Sequence, residues 1–67
     1  MKNEEIKSLV TSQLTYVMDF CRAGNFKDAQ FTIDNFRNDF GNIDNDYVKQ
    51  ALTRMAKAEE LIKSEQN

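Results

Sequence analysis

Apolar residues recur along this chain at steps of three and four. Ile6, Val10, Leu14, Val17 and Cys21 are separated by four, four, three and four positions, the spacing of one face of a helix. Glu4 and Glu5 sit where negative charge favours a helix start, with Asn3 before them as the expected N-cap. Gly24 is placed to end this helix, because glycine takes a left-handed conformation without steric cost. A second helix opens at once, with Asn25 as cap and Asp28 in its first turn. Its face, Phe26, Ala29, Ile33, Phe36 and Phe40, steps by three, four, three and four up to Gly41, the expected stop. The third is entered through Asp44, Asn45 or Asp46 and carries a wide stripe of Val48, Ala51, Leu52, Met55, Ala58 and Ile62. It is expected to fray in the polar tail from Ser64 to Asn67.

The pattern predicts an all-α fold: a three-helix module made of a helical hairpin plus a third helix, with helices at about 3–23, 26–40 and 45–63. Connections this short imply antiparallel neighbours, and 67 residues allow one domain, 1–67, with one small core. Helices of this length are marginal alone in water, so burial of the three stripes must hold them.

Composition then removes several chemistries. With Cys21 as the single cysteine and no histidine, the chain has no internal disulfide, no zinc site of the Cys/His type, no Ser-His-Asp triad and no Cys-His pair. Carboxylate pairs such as Asp34 with Asp39, or Glu59 with Glu60, read as solvated faces, with Asp34–Arg37 and Glu59–Lys63 as helix-spaced ion pairs. No glycine-rich phosphate cradle is present. The expectation is a protein that is not an enzyme and carries no cofactor and no metal. A formal charge of −2 without a basic stripe counts against direct nucleic-acid binding. No apolar run approaches the roughly 18 residues of a membrane span, and the start MKNEEIKS is too acidic and polar for a secretory signal. A lone cysteine fits a reducing compartment, so a cytoplasmic location is expected.

The stretch NDFGNIDND, residues 38–46, is dense in oxygen side chains and invites comparison with a calcium loop. Setting Gly41 at the sixth position of an EF-hand loop puts Phe36 at the first, Phe40 at the fifth and Tyr47 at the twelfth, where oxygen ligands belong. The motif fails. The stretch reads as a bend in which Gly41 stops one helix, Asn42 to Asp46 turn and cap the next, and Ile43 tucks into the core.

At the first junction, in CRAGNFKDAQFTIDNF, the element Gly24-Asn25-Phe26-Lys27-Asp28-Ala29 resembles the turn of a tetratricopeptide-type hairpin, over about residues 10–38. The resemblance implies that the aromatic packs under the turn and the alanine lets the helices approach, and it points to a protein-interaction role. No second repeat follows at a 34-residue period, so it carries no peptide-binding residues. Near the end of the chain, Ala51-Leu52-Thr53-Arg54-Met55 with Ala58 is similar to the closing helix of small phage-encoded hairpin proteins that sequester cyclic nucleotides. That likeness shapes a different expectation, an oligomer holding a small anionic ligand such as a nucleotide, with Tyr47 stacking on a base and Lys49 and Arg54 neutralising phosphate.

The most informative feature is apolar surface in excess of the three stripes: Leu9, Tyr16, Met18, Phe20, Phe31 and Tyr47. Each helix of a three-helix domain hides one side, so these residues predict an interface with a second copy or another protein. The expected patch is Tyr16, Phe20, Phe31 and Tyr47, with Arg37 and Asp34 setting orientation. The function this supports is a self-associating regulator or inhibitor of a larger protein, of a size that suits a phage or plasmid accessory protein. A nucleotide-sequestering oligomer and a structural assembly component are the alternatives.

Overall fold

Three helices form in the predicted order: α1 (Asn3–Arg22), α2 (Phe26–Phe40) and α3 (Asp46–Gln66). The computed structural model describes residues 2–66, and no strand occurs among them. Polar Ser64 and Glu65 continue α3 instead of fraying, while Asn67 lies outside the described residues.

The α1–α2 turn follows from two residues. Gly24 adopts φ +76°, the left-handed conformation, just past the C-cap Ala23. There its N–H donates to the Cys21 carbonyl at 3.1 Å and the Asn25 N–H donates to the Phe20 carbonyl at 2.8 Å, the paired bonds of a Schellman closure. Asn25 then starts α2: its Oδ1 accepts from the Asp28 N–H at 3.5 Å and its Nδ2 donates to Asp28 Oδ2 at 2.6 Å. Phe26 packs half-buried beneath this turn, and Ala29 is fully buried one turn later.

The other ends differ from expectation in instructive ways. Asn3 does not cap α1. Lys2 holds the N-cap position without a side-chain bond, its carbonyl accepting from the Ile6 N–H at 3.0 Å. Gly41 ends α2 in a right-handed conformation, φ −59° and ψ −24°. Glycine is needed there because a Cβ would run into the Arg37 carbonyl oxygen. Of the three candidates at the α3 start, Asn45 is the cap: its Oδ1 accepts from the N–H groups of Tyr47 at 2.8 Å and Val48 at 3.4 Å. Its Nδ2 donates to Asn3 Oδ1 at 3.0 Å. This bond joins the starts of α1 and α3, so α1 and α3 run parallel while α2 runs antiparallel to both.

Every residue of the three predicted stripes lies in the core or against it. Ile6, Val10, Val17, Ala29, Ile33, Phe36, Val48, Ala51, Met55 and Ile62 are buried. Leu14, Phe20, Cys21, Phe26, Phe40, Ile43, Leu52 and Ala58 pack around them. Phe36 and Phe40 stack at 4.9 Å between centroids. No polar side chain is buried among the described residues. Helix α1 packs extensively on both partners, whereas the α2–α3 contact is slighter, and the bundle is elongated, 39 × 18 × 15 Å.

Nothing lies within 4 Å of a Cβ built on Gly24, so only its backbone conformation penalises substitution. Gly24→Ala is expected to lower stability by about 1 kcal/mol, read as a reduced urea midpoint at unchanged slope. Gly24→Asn, which tolerates the left-handed region better, should lose less.

Candidate interaction surfaces

The structure distributes the expected aromatic patch over three places. Phe31 is 65 % exposed on the outer face of α2, two positions before buried Ile33. Its shallow surroundings, Lys27, Asp28, Gln30 and Asp34, all belong to α2. Tyr16, at 53 %, and Leu9, at 42 %, stand seven residues apart along one flank of α1. Phe20, one turn beyond Tyr16, is half-buried against the core. Tyr47 lies instead on the seam between α1 and α3. Helix periodicity identified exposed residues within each helix, but the side of the bundle each one reaches depends on how the helices are rotated against one another.

Arg37 and Asp34 do not pair with each other. Arg37 reaches across to α3, where its guanidinium grips both carboxylate oxygens of Glu59, Nη1 to Oε2 at 2.7 Å and Nη2 to Oε1. Gln30 Nε2 donates to the same Glu59 at 2.6 Å and to Asp34 Oδ1 at 3.0 Å. Glu59 therefore serves as a hub on the α2–α3 seam and not as a solvated partner of Lys63. The Arg37 hydrogen bonds hold its carboxyl below the usual range, with Gln30 adding to the effect against the cost of burial. A separation of 22 residues between Arg37 and Glu59 put this pair beyond any helix-spacing rule.

The α1–α3 seam carries a groove. Its floor is Val10, Leu14 and Ala51; its walls are Lys7 and Thr11 on one side and Tyr47, Gln50 and Arg54 on the other. Lys7 Nζ sits 5.7 Å over the Tyr47 ring, a cation–π distance. Tyr47 and Arg54 are thus brought together as expected, but Lys49 is not with them. Its ammonium pairs with Asp44 at 2.9 Å. Lys7 supplies the second cation, and no acidic residue lines the groove. The same faces continue to Met18, 48 % exposed, and Leu61, 49 % exposed. Lys7 and Leu61 escaped sequence reading, although Lys7, Thr11, Leu14 and Met18 step by four, three and four, a second helical stripe beside the core one.

Of the 38–46 stretch, Asn38 to Phe40 still belong to α2 and Asp46 opens α3; in the bend between them Asp44 is occupied by Lys49, Asn45 by capping, and Ile43 packs against the core. No group of three or more metal-ligating side chains occurs among the described residues. Cys21 is half-buried, and burial pushes its thiol pKa up. None of the helices is long and apolar enough to cross a membrane.

These features define an all-α three-helix bundle with exposed apolar surface on each side. No protein-family model, no curated protein and no solved structure matches the chain.

Because the Glu59 carboxyl is depressed in the folded state, its contribution is present above the unfolded value of about 4.3 and is lost as pH falls through the folded value. Chemical denaturation from pH 7 to pH 3 should show a steeper acid loss for the wild type than for Glu59→Gln. An identical slope would mean that the Arg37–Glu59 contact does not persist in solution.

Proposed function

We propose that this chain is a small protein-interaction module that acts by binding, not catalysis, and that its first partner is a second copy of itself. One observation carries the reading. The core is complete with the three stripes, yet Leu9, Tyr16, Met18, Phe31, Tyr47 and Leu61 remain 37 to 65 % exposed. The Leu9–Tyr16 flank of α1 and the Tyr47 end of the α1–α3 groove are apolar areas that other protein can cover, with a gain of about 25 cal/mol for each Å² removed from water. Self-association also supplies stabilisation of the kind that a small domain otherwise obtains from disulfides or metals; a single cysteine makes no internal disulfide, and no group of three or more metal-ligating side chains occurs among the described residues. Regulation of a larger protein would follow sterically, by occupying its surface.

A second reading rests on the α1–α3 groove, where Lys7 and Arg54 flank an apolar floor beside Tyr47 without an acidic neighbour in the lining. Such a groove suits a small anionic ligand with an aromatic ring.

Light scattering across a concentration series separates the outcomes. Self-association predicts a mass above the 7.8 kDa of one chain, rising with concentration. A constant 7.8 kDa removes it and leaves the exposed surface to a foreign protein. For the second reading, a nucleotide panel should raise the melting temperature with increasing ligand concentration.

A further inference from the structure

We infer that the chain associates head to tail, Phe31 of one copy seating in the α1–α3 groove of the next; this rests on the self-association proposed above and specifies its geometry. The two surfaces are complementary in charge and spacing. Phe31 projects from α2 with Asp28 three residues before it and Asp34 three residues after it. Six residues of helix set the two carboxylates about 9 Å apart along the axis, with the ring midway. Lys27 stands at the edge, which leaves this knob with one net negative charge.

The groove reads as its counterpart. Lys7 lies against Tyr47, and Arg54 follows Tyr47 by seven residues, so the two cations lie about 10.5 Å apart along the parallel helices. Between them the floor is Leu14, half-buried, with Val10 and Ala51 beneath. A phenyl ring placed on that floor brings one aspartate toward each cation. Neither Lys7 nor Arg54 forms an ion pair among the described residues. Asp34 retains acceptor capacity beyond its single bond from Gln30.

A chain cannot fill its own groove. Phe31 points away from α1 and α3, whereas the groove opens on the side of the α1–α3 seam away from α2, since exposed Lys7, Thr11 and Arg54 wall it. Two different surfaces on opposite sides make a heterologous contact, which propagates into a ring or an open array and does not stop at two copies.

Complementation tests this directly. Lys7→Glu with Arg54→Glu destroys the groove and leaves the knob; Phe31→Ala with Asp34→Lys destroys the knob and leaves the groove. All four positions are exposed, and circular dichroism checks that each variant stays helical. The wild type is expected to exceed twice 7.8 kDa as concentration rises, and to dissociate with added salt. Each variant alone should be monomeric, with association weakened at least tenfold, and an equimolar mixture should form a one-to-one pair and grow no further. Variants that associate as the wild type does would overturn the head-to-tail geometry while leaving self-association intact. A mixture that stays monomeric would overturn it too. A monomeric wild type would remove both proposals. Adenosine monophosphate that raises the melting temperature without lowering the wild-type mass would assign the groove to a small anion and overturn its role as the docking site.

Discussion

A helix in a three-helix bundle touches its two neighbours along one side only, and the remaining circumference faces outward. For helices of 15 to 21 residues, whose stability within a protein comes mainly from packing an apolar face, that single side must supply nearly all the stabilisation. The chain meets this constraint with side chains of unequal size. Phe36, Ile33 and Met55 fill the interior, while Ala29 and Ala51 let backbones come close. Because α1 packs on both α2 and α3 and those two meet only slightly, α1 acts as the spine, and its buried Ile6, Val10 and Val17 hold both partners. The slighter α2–α3 seam is the one that receives a polar clasp, in which Glu59 takes hydrogen bonds from Arg37 and Gln30. A bidentate guanidinium–carboxylate pair adds a contact of defined geometry between two helices that otherwise meet only slightly.

The three stripes were legible because a helix writes its buried side into the sequence at its own period. Phe26, Ala29, Ile33, Phe36 and Phe40 could hardly be arranged otherwise. Gly24 was legible for a similar reason: the left-handed residue after a helix has few alternatives. Asn3 misled because capping is a local rule, whereas its side-chain oxygen accepts a hydrogen bond from the Asn45 Nδ2, a donor 42 residues away in the chain. Glu59 was hidden behind Lys63, a partner at the right helical spacing on its own helix, whereas the pairing that formed crosses between helices. Candidate surface residues share this difficulty. Exposure at Phe31 and Tyr16 could be read from position within a helix, but the neighbourhood of Tyr47 required the parallel alignment of α1 with α3, which brings Lys7 alongside it.

That alignment has further meaning for the surface. Parallel helices with matched register set residues of α1 against residues about 40 positions later, so Lys7, Thr11 and Leu14 line one groove with Tyr47, Gln50 and Arg54. Polar and apolar groups alternate along it. The core, by contrast, contains no buried polar side chain among the described residues, so the directional contacts lie outside it, at the α2–α3 seam and at the helix caps.

The Schellman closure at Gly24 also bears on the order of assembly. Its two backbone bonds join residues three and five apart, and the α1–α2 hairpin it organises needs only a short loop to close. Docking of α3 on α1 must instead bring together segments about 40 residues apart, at a larger chain-entropy cost. The hairpin is thus the cheaper pairing in chain entropy, and the docking of α3 on α1 the costlier one. During synthesis the hairpin is complete once Phe40 has emerged, and it carries the still uncovered side of α1 until α3 follows.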